Sequence, residues 1–228
     1  MSPLTRRLIR QSAIWFACMA ALLFIPAGTL AWPAAWVYLA EMAVSTSLIT
    51  GWLARHNPAL LAERMSPLIQ RDQKSWDKLL MIVLIALWCG WFALMGLDAI
   101  RYGWSHVPFW VQALGALTIA VAMYVFFLTV RANSFAAPVV KIQKERGHKV
   151  VSHGPYAVVR HPMYAGALLT FAGTPLLLGS LWGLALAPII TALLGARAVM
   201  EERMLACELD GYSDYAARVR YRLVPLIW

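Results

Sequence analysis

PMYAGALLTFAGTPLLLGSLWGLALAPIITALLGARAVM, residues 162–200, contains two apolar runs, 162–179 and 181–200, with only the Gly179-Ser180 region between them and a single charged residue, Arg197. Each run approaches the roughly 20 residues that carry a helix across a hydrocarbon core. A bilayer interior offers no water to backbone N–H and C=O groups, so runs of this kind fold as helices. The spacing predicts a tight helical hairpin, whose first helix is short enough to be kinked or to span incompletely.

Further runs lie at residues 13–31, 34–54, 79–100 and 109–130. Six helices are expected. The chain of 228 residues is 61% hydrophobic and 14% charged, with a mean hydropathy of +0.64. That leaves too little polar surface to coat a water-soluble globule, and it excludes disordered, collagen-like and coiled-coil classes. The fold class is therefore all-α, a polytopic membrane protein of about six transmembrane helices.

The net charge of +9 follows from where the cations lie. With six spans, 19 of the 20 Lys and Arg residues fall on one side, and only Arg101 falls on the other. Membrane proteins keep such residues cytoplasmic, so both termini are expected there, and no nucleic-acid partner is implied. Trp32, Trp36, Trp76, Trp104, Trp110 and Trp182 stand near span ends, where an indole prefers the interface. Thr5-Arg6-Arg7-Leu8-Ile9-Arg10 before an apolar run resembles an export signal, but the run extends past a signal core and is read as an uncleaved helix. Cys18, Cys89 and Cys207 have no metal-ligand spacing, and no metal is expected.

Asn57-Pro58 supplies an N-cap and an N1 proline for an interfacial helix near residues 57–70, with Ser66-Pro67 to end or kink it and Ser75 to cap the next helix. Glu41, alone inside the second run, is costly in lipid. It either hydrogen-bonds to another helix or lines a lateral lipid entrance.

Chemistry concentrates on either side of the hairpin. In Gly154-Pro155-Tyr156-Ala157-Val158-Val159-Arg160-His161-Pro162-Met163-Tyr164, Pro162 is a natural first helical residue, and His161 before it is pushed out of the helical region. The helix amino terminus offers free N–H groups and partial positive charge to a carboxylate or phosphate, beside His161 and Tyr164. At the other end, Arg197 and Glu201 share a helix face, followed by Glu202. Taken alone, Arg197 and Glu201 read as an ordinary surface ion pair. Gly211 then resembles a helix end and Ser213 an N-cap, opening a short basic amphipathic helix.

Gly154-Pro155-Tyr156, Arg160-His161-Pro162-x-Tyr164-x-Gly166, Glu201-Glu202 with Leu205, and Gly211-x-x-x-Tyr215 together resemble the isoprenylcysteine carboxyl methyltransferase family. These are integral-membrane enzymes that use S-adenosyl-L-methionine. The stretch from Asn57-Pro58 to Trp76-Asp77-Lys78 resembles the amino-terminal half of bacterial members, which points to a bacterial inner membrane. The resemblance implies two regions: residues 1–130, an amino-terminal four-helix membrane region, and residues 131–228, a methyltransferase region of cofactor loop, hairpin and basic tail. It implies cofactor contacts from Gln143, His148, Lys149, Val150, Val151, Tyr156, His161, Pro162, Met163, Tyr164 and Glu202. It matches Arg197 to the family's substrate-facing arginine. Asn133 is a further candidate for substrate binding, and Glu201 is the candidate base.

The implied acceptor is a prenylcysteine-like or other lipidic carboxylate reaching the site from the bilayer. Phospholipid methyltransferases and some sterol reductases share parts of the pattern, so N-methylation of a phospholipid or amine is the alternative, and nicotinamide chemistry a further one. A small membrane transporter would explain the helices and Glu41, but not polar motifs gathered around one hairpin.

Overall fold

A computed structural model describes residues 3–228. The six expected runs all form helices: α1 (Pro3–Ala27), α2 (Pro33–His56), α4 (Ser75–Gly96), α5 (Phe109–Ala132), α6 (Pro162–Leu178) and α7 (Leu181–Glu208). Two seven-residue helices complete the set, α3 (Pro58–Arg64) and α8 (Tyr212–Arg218). α1, α2, α4, α5 and α7 contain the five segments long and apolar enough to cross a membrane. α6 has 17 residues, about 25 Å at the rise of an α-helix and short of a full hydrocarbon thickness.

Small residues bring α5 and α6 together. A Cβ on Gly115 would meet the Gly173 carbonyl at 2.7 Å, and one on Gly166 would meet the Ala122 carbonyl at 3.3 Å. In lipid, where apolar surface gains little by leaving its solvent, such close backbone approach is what supports helix pairing.

The hairpin turn is held by a buried carboxylate. Gly179 adopts φ +81 and ends α6, a conformation that favours glycine. Beyond the end of α4, Leu97–Arg101 forms a π-helical turn that carries Asp98 into the protein. Its Oδ2 accepts from Ser180 Oγ at 2.5 Å, Ser105 Oγ at 2.8 Å and Trp182 N at 3.2 Å. Trp91 Nε1 also donates to the Gly183 carbonyl at 2.6 Å. α4 is thereby fastened to the start of α7.

Several local expectations change. Asn57 does cap α3, accepting from Leu60 N at 3.0 Å, but α3 ends at Arg64, before Ser66-Pro67. Ser75 is inside α4, whose N-cap is Lys74. Ser213 is likewise inside α8, whose N-cap is Gly211 at φ +78. Trp32 is buried in the helical core, unlike exposed Trp36, Trp104, Trp110 and Trp182. No other helix meets Glu41 with a hydrogen bond among the described residues; its Oε2 is buried without a partner.

Candidate active site

At the end of the hairpin away from the turn, the start of α6, the end of α7, the 133–151 loop and α8 surround one cavity of about 810 Å³, counting its open mouth. Its first wall begins at His161. Pro162 is the first residue of α6, and His161 sits at φ −124, ψ 67, as the clash with a following proline ring requires. The carboxy-terminal tail fixes this turn: Arg160 N donates to the Tyr221 carbonyl and His161 N to that of Arg222, both at 2.9 Å. One turn along, Tyr164 stacks on the imidazole, with ring centroids 5.2 Å apart and planes 5° from parallel.

The acidic pair divides its partners. Glu201 lines the cavity and accepts from Tyr164 Oη at 2.6 Å through Oε2. Its other oxygen makes no hydrogen bond among the described residues. Glu202 does not line the cavity. It lies 3.1 Å from His161 Nε2 and accepts from Arg160 Nε at 2.6 Å and Arg222 Nε at 2.8 Å. Such charge-assisted bonds hold the imidazole, which lines the cavity, and both guanidinium groups from behind.

Arg197 forms no ion pair with Glu201. It is buried, with Nε 2.7 Å from Asp77 Oδ1, Nη2 3.3 Å from Asp77 Oδ2 and 3.0 Å from the Pro138 carbonyl, and Nη1 donating to Tyr164 Oη at 2.8 Å. The fork expected to face an acceptor carboxylate is therefore occupied by Asp77. Helical spacing predicts which residues share a face, not which neighbouring helix meets that face.

The opposite wall is the extended segment 149–153. Lys149, Val150 and Val151 line the cavity, and no backbone hydrogen bond within the chain uses the N–H or C=O groups of 149–153 among the described residues. His148 also lines it, and burial holds its imidazole below the ordinary value of 6.5. Gln143 stands behind this segment: its Nε2 donates to the Phe135 carbonyl at 2.7 Å, its carbonyl oxygen meets Arg146, and its N–H lies 3.4 Å from His148 Nδ1. It props the loop rather than lining the cavity. Asn133 and Tyr156 close one edge, Asn133 Nδ2 donating to Tyr156 Oη at 2.9 Å. Burial raises the Tyr156 phenol well above its ordinary value, keeping it neutral. Met163 also borders the cavity.

Four more residues belong to this arrangement. Arg160 was within the quoted motif; Tyr212 and Tyr215 line the cavity from α8. Asp77 is fully buried and carried one signal, an acid at the edge of an apolar run.

Comparison with known proteins finds a family model that matches the stretch containing the hairpin. A model of the phospholipid methyltransferase family matches residues 110–208. The chain is 35% identical over 83 residues, 35% of its length, to Protein-S-isoprenylcysteine O-methyltransferase B of Arabidopsis thaliana, and the match spans 42% of that relative. The chain thus matches less than half the length of this curated relative. The resemblance to the isoprenylcysteine carboxyl methyltransferase family is borne out, and the stretch similar to the phospholipid methyltransferase family runs through α5, α6 and α7.

Proposed function

We propose that the chain is an S-adenosyl-L-methionine-dependent methyltransferase acting on a lipidic acceptor at the membrane. The observation that carries this reading is the cavity itself, where an unpaired backbone segment faces a stacked His161–Tyr164 pair and a carboxylate with a free oxygen. When bound, the cofactor supplies an electrophilic methyl group on a positively charged sulfur.

The residues present fit such a group. Val150, Val151 and Tyr156 offer an apolar and aromatic surface to adenine, with the 149–153 backbone free to read its polar edge. The amino terminus of α6, shaped by Pro162, offers N–H groups and a partial positive charge to a carboxylate. Glu201 offers its free oxygen to an ammonium group. Glu202 acts indirectly in this assignment, holding His161 and Arg160 in place, and Gln143 does the same for His148. Met163 and Asn133 border the space left for the acceptor. The chain's work is positioning and exclusion of water, which can supply much of the acceleration of a bimolecular transfer.

A carboxylate acceptor, as the relative's name suggests, is itself the nucleophile and needs no proton removed. One observation favours a second acceptor, a lipid amine: Arg197 is already held by Asp77 and is not free for an acceptor carboxylate; the proton an amine must lose goes to Glu201 only where its free oxygen faces the acceptor in place of the cofactor's ammonium group. In the same reading the cavity and both termini face the cytoplasm of a bacterial inner membrane, and residues 131–228 form the methyltransferase region beside an amino-terminal region at 1–130.

Titration of detergent-purified protein with S-adenosylhomocysteine and with NADPH tests the class. Binding of the first alone is expected; binding of NADPH alone would overturn the proposal. Transfer of a labelled methyl group to an S-farnesylcysteine derivative or to phosphatidylethanolamine vesicles separates the two acceptors.

A further inference from the structure

Asp77 stands in the first turn of α4, outside the matched residues 110–208, and none of its side chain is exposed. Its carboxylate accepts from four donors: Arg197 Nε at 2.7 Å, Arg197 Nη2 at 3.3 Å, Val140 N at 2.9 Å and Gln73 Nε2 at 2.7 Å. The same loop is gripped twice more, by Arg197 Nη2 on the Pro138 carbonyl at 3.0 Å and by Lys74 N on the Val140 carbonyl at 3.4 Å. Val139 and Lys141, on either side of Val140, line the cavity. From Arg197 the chain of contacts runs through Tyr164 Oη to Glu201.

We propose that Asp77 is the positioning residue of the cavity, a single carboxylate that sets both the 138–140 loop and the Arg197–Tyr164–Glu201 series, so that the amino-terminal region completes a site built mainly by the carboxy-terminal one. All four partners are donors, so a carboxylate satisfies them and an amide cannot. In Asp77→Asn the new NH₂ group must face at least one N–H, and the loop or Arg197 moves. A shift of this kind is felt at the ligand even though Asp77 does not touch it.

This inference rests on the methyltransferase reading, and the test keeps the two separate. Asp77→Asn is compared with Asp98→Asn, which alters the other fully buried carboxylate of the same continuous helix, at the hairpin turn. Asp77→Asn is expected to lower the melting temperature, and Asp98→Asn to lower it less, since all three donors use Asp98 Oδ2 and its Oδ1 faces none. Only Asp77→Asn is expected to weaken S-adenosylhomocysteine binding by about tenfold, and to speed hydrogen exchange at residues 138–141 by a similar factor. If Asp77→Asn does not fold, Gln73→Met removes one of the four donors and is expected to move both readouts by about threefold. Wild-type affinity and exchange in Asp77→Asn, or in Gln73→Met when that variant stands in, would overturn the proposal. So would equal effects of Asp77→Asn and Asp98→Asn. Failure of the wild type to bind S-adenosylhomocysteine would remove the functional reading and leave the exchange comparison to decide the role of Asp77.

Discussion

Glu202 engages Arg160 through both carboxylate oxygens, Oε1 lying 2.6 Å from Nε and Oε2 3.2 Å from Nη2, while the neighbouring Glu201 bonds Tyr164 and stands 3.9 Å from His161 Nδ1. Adjacent acids on one helix thus have separate tasks. Glu202→Gln leaves Arg160 and His161 with an incomplete partner behind the cavity wall, and is expected to cost about 2 kcal/mol of stability together with binding. Glu201→Gln is expected to leave the melting temperature close to wild type and to weaken S-adenosylhomocysteine binding by about tenfold or more. Thermal unfolding and calorimetry on the two variants check the division; the same pattern in both would refute it.

Arg197→Ala strands a fully buried Asp77 carboxylate. Removing one partner of a buried pair costs about 3–5 kcal/mol, so this variant is expected to be lost to unfolding and not simply to slow turnover. Size-exclusion profiles and thermal unfolding in detergent decide this. A well-folded, stable Arg197→Ala protein would contradict the buried pairing.

His148 gives the site a pH dependence. Burial lowers its pKa from 6.5, so the folded loop binds fewer protons than the unfolded chain between the lowered value and 6.5. The stability it contributes is fully present above 6.5 and is lost as pH falls through the lowered, folded-state value. Protonation also removes Nδ1 as the acceptor facing Gln143 N–H. Affinity for S-adenosylhomocysteine is expected to hold above pH 6.5 and to decline as pH falls through the lowered value of the folded protein, and His148→Gln to flatten that slope. An unchanged slope in the variant would assign the dependence to another group.

Two glycines, Gly115 in α5 and Gly90 in α4, separate packing from propensity. Gly115→Ala drives a methyl group into the α6 backbone, with the Gly173 carbonyl 2.7 Å from the new Cβ, and is expected to cost about 2 kcal/mol. Gly90→Ala has nothing within 4 Å and is expected to be neutral or to stabilise by up to about 1 kcal/mol through helix propensity. Melting temperatures in one detergent check both.

Much of this was legible in the sequence because the signals are local. Two apolar runs parted by Gly179-Ser180 make a hairpin whatever surrounds them, and His161-Pro162 sets a helix start through sterics between adjacent residues. The gathering of His161, Tyr164 and Glu201 around one cavity follows from the same hairpin, which returns the end of α7 beside the start of α6. The partner of Arg197 is Asp77, 120 residues away, a distance at which periodicity carries no information. Nothing local to Asp77 marks it as part of the site, for the same reason. Trp32 and Trp36 show the limit on the aromatic side: an indole near a span end can anchor at the interface or fill the core, and only the packing of α1 against α2 decides which.

The Asp98 clasp has a mechanical consequence. Ser180, Trp182 and Ser105 are all tied to one carboxylate at the turn, so α6 and α7 behave as the two arms of a pair of tweezers whose joint is pinned by α4. The arms have no freedom to part at the joint, and their tips carry His161 on one side and Glu201 on the other. Any widening of the hairpin is concentrated at those tips, where the Tyr164–Glu201 and His161–Glu202 contacts must give first.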